Sequence, residues 1–166
     1  VERNQGAVHV VPLTDQGEIY LVHMYRYPTQ IFSWELPAGG VEDDEAAHAR
    51  ESATQTSKNK ITPRVQSKIF LSAAKRELQE ETGFTASRWR RIGKYQSWNG
   101  ACNEWAHIYL AQGLKQTGIH KQEEEGITAM KKVSIDKAFQ MVARGELTDS
   151  GSIVALTMAE LALKPI

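Results

Sequence analysis

Cysteine is almost missing from this chain of 166 residues, where Cys102 stands alone. One thiol closes no internal disulfide and builds no cysteine-rich zinc site. A small packed side chain in a reducing compartment, the cytoplasm, is the expectation. Net charge is missing too. Twenty Lys and Arg balance twenty Asp and Glu, which leaves no field favouring nucleic acid or an anionic membrane as partner. No apolar run approaches the roughly 20 residues that span a bilayer. The histidines at 9, 23, 48, 107 and 120 form no H-E-x-x-H pair. No G-x-x-x-x-G-K-[ST] occurs either, so "PAGG" (37–40) is not a P-loop. No internal repeat and no secretory leader are visible, although the chain begins at Val1 without a methionine.

What is present suffices for one domain with a good core. "GAVHVVPL" (6–13) and "EIYLVHMY" (18–25) read as strands, and "TDQG" between them supplies turn chemistry for a hairpin. "SWELPAGGVEDDE" (33–45) reads as a Pro/Gly-rich loop followed by acids. "WRRIGKYQ" (89–96) and "EWAHIYLAQ" (104–112) are strand-like, rich in aromatic and β-branched residues. Over 134–144, Ile135, Ala138, Phe139 and Val142 recur at helical spacing, with Ser134 as N-cap and Gly145 as stop. A last helix is expected after Thr148. Strands, helix, strands, helices in that order predict an α+β sandwich rather than a repeated βαβ array. Residues 48–70 are polar, contain Pro63 and show little apolar periodicity. Arg50, Lys58, Lys60, Arg64 and Lys68 against Glu51 leave them a net charge of +4, so a long exposed excursion is expected.

The informative stretch is "AAKRELQEETGF" (73–84). Ala74, Leu78 and Leu71 supply a buried stripe over 72–82, and Gly83 ends the helix. Glu77 lies three and four residues from Glu80 and Glu81, so the acids share one side, where like charges destabilise a helix by a few tenths of a kcal/mol per pair. They also crowd the last turn, where the macrodipole disfavours negative charge. A solvated face or a bound cation would compensate. A Gly-rich loop and the acids of "VEDDE" upstream tilt the balance to a hard cation, which takes carboxylates, water and substrate phosphate as ligands.

These residues resemble the Nudix hydrolase signature: Gly, five residues, Glu, seven residues, then Arg-Glu-apolar-x-Glu-Glu-x-Gly-apolar. Gly39 is followed by five residues and Glu45, and Arg76 to Phe84 matches every specified position of the second half. The spacer departs from the pattern: 30 residues separate Glu45 from Arg76 where the family has seven. Removing 48–70 restores "GGVEDDEAALSAAKRELQEETGF". "MYRYP…SWELPAGGVE" and "GELTDSGSIVAL" (145–156) are similar to the ADP-ribose and nucleotide-sugar pyrophosphatase branch, and the likeness spans most of 6–163.

The resemblance implies an α/β/α sandwich with a mixed sheet and a metal-binding loop-helix-loop. It implies a single domain over 1–166 with a long insertion inside the box. Members of this branch usually dimerise through an extra N-terminal β element; this stretch begins just after its expected place, and a homodimer is implied by the family alone. The cofactor would be Mg²⁺, or Mn²⁺ in its place. Glu77 and Glu81 would be the principal metal ligands, with Glu80 as ligand or base and the Ala38 carbonyl as a further ligand. Arg76 and Glu45 would orient the carboxylates. The base often comes from a later loop, here "HKQEEEGI" (120–127), where Glu125 aligns best and Glu123 and Glu124 are alternates. Arg26 and Tyr27 match substrate-contacting positions. Trp34 or Phe32 would stack on a base, and Glu35 would accept from base or ribose. ADP-ribose-specific members carry a proline shortly beyond the box. "YQSWNGACNE" (95–104) has none, and Trp98 stands there instead as a candidate pocket residue. The expected reaction is Mg²⁺-dependent cleavage of a nucleoside diphosphate sugar, ADP-ribose, GDP-mannose or similar, into a nucleoside monophosphate and a sugar phosphate. The alternative is a non-catalytic nucleotide-binding module.

Overall fold

A computed structural model describes residues 6–42 and 63–164. The elements run β1 (Ala7–Pro12), β2 (Glu18–Arg26), β3 (Ile31–Glu35), β4 (Ala38–Gly40), α1 (Pro63–Thr82), β5 (Phe84–Gln96), β6 (Trp105–Gln116), β7 (Ile127–Ser134), α2 (Ile135–Ala143) and α3 (Ser150–Leu163). They form two sheets, a mixed one ordered β4-β1-β6-β5 and an antiparallel one ordered β3-β2-β7. Strand β1 runs parallel to β6, pairing Ala7 with Ala106 through Pro12 with Ala111. This is the expected α+β sandwich, with helices on both faces of the mixed sheet.

Strand β1 is apolar apart from the buried His9, which suits its central place, since such strands are buried on both faces. Val8 and Val10 pack with Ile69, Phe70, Ala73 and Leu78 of α1 in one core. Val11 joins Ile108, Leu110, Leu147, Ala155 and Leu156 in the other, beneath α2 and α3. Leu78 is fully buried, and its truncation to alanine would cost about 2–5 kcal/mol.

The expected N-cap Ser134 and stop Gly83 form, and Asp149 adds a cap not expected from the sequence. The Ser134 side chain accepts from the Lys137 N–H to start α2, and Asp149 accepts from the Ser152 N–H to start α3. Gly83 ends α1 at φ 73°, a left-handed position that glycine adopts without strain.

Several expectations are corrected. The turn at 14–17 forms, but the anticipated hairpin does not propagate. One bridge, Leu13 to Ile19, joins β1 to β2 before the strands enter different sheets. The loop assigned to 33–45 contains the end of β3 and all of β4, while β7 had no counterpart in the sequence reading. Helix α1 begins at Pro63, not near 72. Of the excursion at 48–70, residues 63–70 are therefore helix, and Val65, Ile69 and Phe70 are buried. Residues 48–62 lie outside the described residues. Proline suits the first helical position, where its missing N–H is not needed. No helix of the described residues is long and apolar enough to cross a membrane.

Candidate active site

One ridge of α1 carries the chemistry. Residues 65, 69, 73, 77 and 81 follow one another at i+4, a row that winds slowly around the helix as one ridge. All five are buried: Val65, Ile69 and Ala73 pack into the core, and Glu77 and Glu81 continue the same line. The stripe that docks the helix thus drives two carboxylates inward, at 5% and 3% exposure.

They meet the backbone of β4. The Ala38 N–H donates to Glu81 Oε2 at 3.1 Å. Gly39 has no room for a side chain, because an ideal Cβ would stand 1.8 Å from Glu77 Oε1. Arg76 borders the group. Its Nη1 lies 2.9 Å from Glu77 Oε1 and 3.0 Å from Glu80 Oε2, and its Nη2 donates to the Gly40 carbonyl at 2.8 Å.

The three acids differ electrically. Burial pushes Glu77 up to about 7, against the pull of Arg76 and with added repulsion from Glu125 and Glu80. Burial pushes Glu81 well above the usual carboxylate range, and repulsion from Glu77 adds to it against the Ala38 N–H. Glu80 lies below that range: its burial works the other way, but hydrogen bonds from Lys121 and Arg76 prevail. Glu77 thus shares Arg76 with Glu80, Glu80 has Lys121 as well, and Glu81 is held by the Ala38 N–H.

A cavity of about 350 Å³ opens over the pair, lined among others by Arg26, Ala38, Gly39, Arg76, Glu77, Glu81 and Glu125. Of the residues singled out from sequence, the fold therefore brings Arg26, Ala38, Glu77, Glu81 and Glu125 together around one space. Glu125 arrives on the turn before β7 and couples electrostatically to both buried acids. Glu123 and Glu124 are exposed on that turn and do not line the cavity.

Other candidates fall elsewhere. Glu35, 2% exposed, spends its carboxylate on Arg26: Nε donates to Oε1 at 3.0 Å and Nη2 to Oε2 at 2.5 Å. Glu35 therefore orients Arg26 rather than facing the cavity. Tyr27 is 84% exposed at the end of β2. Trp34 pairs with His23 across the strands, one residue out of phase with the cavity-lining Met24 and Arg26, and so faces the other side of the sheet. There its ring meets His23 at 4.7 Å and lies under the Lys131 ammonium at 3.8 Å. Phe32 stacks on His23 on that same face. Trp98 lines a second cavity, about 450 Å³, with Tyr95, Ser97, Cys102, Glu104 and Asp149. Glu45 lies outside the described residues. The sequence reading missed Lys121, whose ammonium pairs with Glu80 from a loop 41 positions away; no local spacing signals such a contact.

The oxygen-only donor set fits a hard divalent cation. Two buried, raised carboxylates and the glycine-lined approach at Gly39 are observations of that kind. Among the described residues no three acids or imidazoles converge as a closed metal site. Main-chain oxygen, water and substrate phosphate would have to complete the coordination, as suits magnesium.

Comparison with known proteins points the same way. Residues 64–153 match the family model described as NUDIX domain. The methanol dehydrogenase activator of Bacillus methanolicus is 27% identical over 162 residues, 97% of this chain and 75% of that protein. An ADP-ribose pyrophosphatase of Mycobacterium tuberculosis (strain ATCC 25618 / H37Rv) is 32% identical over 153 residues, 91% of this chain and 63% of that protein. Among solved structures, one described as an ADP compounds hydrolase superposes with TM-score 0.73 at 18% identity, covering 98% of this chain and 74% of the other. That last likeness speaks for the fold alone.

Proposed function

The chain belongs to the Nudix family, and from that premise we propose that it is a pyrophosphohydrolase acting on nucleoside diphosphate sugars, ADP-ribose among them, with Mg²⁺ or Mn²⁺. The observation that carries the reading is the buried Glu77–Glu81 pair beneath a cavity that Glu125 also enters. A module that only bound nucleotide would gain nothing from burying two acids side by side. The name of the Mycobacterium relative supports ADP-ribose as one substrate. Trp98, in place of the proline typical of ADP-ribose-specific members, supports a wider range that includes GDP-mannose. We read residues 1–166 as one domain acting as a homodimer. The interlocking of early strand β1 with late strand β6 supports the single domain.

When bound, the divalent cation supplies charge to the diphosphate and polarises phosphorus. The chain's own groups do the rest. Arg26, held by Glu35, presents a rigid guanidinium to a phosphate. Glu77 and Glu81 would hold the cation through their carboxylate oxygens, and Arg76 holds Glu77 in place. Glu125 accepts a proton from the attacking water as its oxygen bonds to phosphorus. The bridging P–O bond then breaks, and its electron pair leaves with the departing phosphate. The test is product analysis with Mg²⁺ and a panel of ADP-ribose, GDP-mannose, UDP-glucose and a dinucleoside polyphosphate. Nucleoside monophosphate and sugar phosphate in equal amounts support the reading. Tight binding without turnover of any of them would replace it with the binding module.

A further inference from the structure

The last turn of a helix leaves carbonyls without partners, and α1 ends beside the cavity. The Gly83 N–H takes the Gln79 carbonyl at 2.8 Å, and the Thr82 hydroxyl reaches that of Leu78. The next two are met from far along the chain. The Lys121 N–H donates to the Glu80 carbonyl at 2.8 Å, and the Gln122 side-chain amide donates to the Glu81 carbonyl at 2.8 Å. Lys121 doubles its hold, because its ammonium also pairs with the Glu80 carboxylate. From that anchor a bonded turn leads to the reaction cavity. The Glu125 N–H donates to the Lys121 carbonyl at 2.9 Å, and the Ile127 N–H to that of Gln122 at 2.8 Å.

We propose that Lys121 is a positioning residue, whose ion pair with Glu80 holds the 121–125 turn in the register that brings the Glu125 carboxylate over Glu77 and Glu81. The inference rests on the hydrolytic reading and adds to it the residue that locates its base. It also gives Glu80 its own duty. Glu80 does not line the cavity; it ties the loop to the helix that carries the other two acids. An exposed ion pair adds little to global stability. Displacing a reacting group by about 1 Å, by contrast, can cost on the order of a hundredfold in rate. The effect of losing Lys121 therefore belongs to turnover more than to folding. Charge screening is the competing role: a Glu80 left with Arg76 alone would repel the diphosphate, which would raise KM and leave kcat alone.

The experiment compares Lys121→Met with Lys121→Arg in the full chain. Lys132→Met, which breaks the remote Lys132–Glu18 pair at 2.9 Å, is the control. Steady-state kinetics on ADP-ribose with Mg²⁺ run beside amide hydrogen exchange. For Lys121→Met the expected result is a fall in kcat of about tenfold, KM within about twofold, and faster exchange at 122–126 while α1 and the strands keep their protection. Lys121→Arg restores most of kcat, and Lys132→Met matches the wild type. Unchanged kcat, a rise in KM alone, or undiminished protection at 122–126 would overturn the proposal. If the wild-type chain hydrolysed nothing, the hydrolytic reading would fall. The exchange data would then uphold or overturn the hold of Lys121 on the turn by themselves.

Discussion

Gly39→Ala adds one methyl group and removes no functional atom, which makes it a clean probe of the site. The new Cβ would lie 1.8 Å from Glu77 Oε1 and 2.3 Å from its Cδ, where ordinary contact begins at 3.4 Å. The carboxylate must retreat by roughly 1.5 Å, on the scale at which about 1 Å of misplacement costs on the order of a hundredfold. The obstacle is the tip of a side chain, and the φ of Gly39 is one that alanine accepts. The fold should survive with a penalty of about 1–3 kcal/mol from overpacking, a fall in Tm of several degrees at this chain length. Its neighbour provides the contrast. A Cβ on Gly40 meets no described atom within 4 Å, so Gly40→Ala should stay within about twofold of wild type, far below the effect at Gly39. Initial rates of ADP-ribose hydrolysis, with circular dichroism to verify folding, decide the matter. A folded Gly39→Ala protein with the wild-type rate would refute the placement of Glu77.

The remaining predictions concern stability. Arg26→Ala leaves the Glu35 carboxylate buried without its partner, at a cost of about 3–5 kcal/mol. Replacing the pair by Met and Leu should recover most of that, and urea unfolding would show it; a neutral Arg26→Ala would break the account. For Glu77, the folded value near 7 exceeds the ordinary 4.5. Its contribution is therefore full below pH 4.5 and is lost as pH rises through 7. With a chelator present, the stability of wild type relative to Glu77→Gln should fall across that window; a rising difference would reverse the sign. His107 works in the opposite sense. It stacks on Phe70 at 3.7 Å, and burial, with Arg91 and Lys94 nearby, lowers it from 6.5 to about 4. Its share of stability is present above pH 6.5 and disappears on the way down to 4. His107→Phe should flatten that limb in a thermal melt series; an unaltered slope would exclude this group.

Much of this was legible because the relevant signals are local. The run from Arg76 to Gly83 shows three acids, a buried leucine and a stop, and the structure turns that spacing into a helix whose buried ridge ends in Glu77 and Glu81. Ser134 and Asp149 cap as their chemistry dictates, although only Ser134 was anticipated. What escaped depends on distant partners. Strand β7 carries Lys131 and Lys132 and becomes a strand by pairing with β2. Residues 63–70 look polar until Val65, Ile69 and Phe70 find the face of β1. Trp34 sits one residue out of phase with Arg26 on a three-stranded sheet, so the pleat sends the two side chains to opposite faces. The Glu35 carboxylate, expected from sequence to meet base or ribose, is held by Arg26. Trp98 shares a cavity with Asp149, a neighbour that no spacing in the sequence announces.

The measurement that bears most directly on the central claim is hydrolysis by wild type and Glu81→Gln side by side. Substrate would be saturating ADP-ribose with Mg²⁺, followed by ³¹P NMR. Glutamine keeps the shape and the hydrogen bond from Ala38 but removes the charge that a cation needs. The account predicts AMP and ribose 5-phosphate from the wild type, and a loss of at least about a hundredfold in the variant without loss of Tm. Equal rates in the two proteins would contradict it.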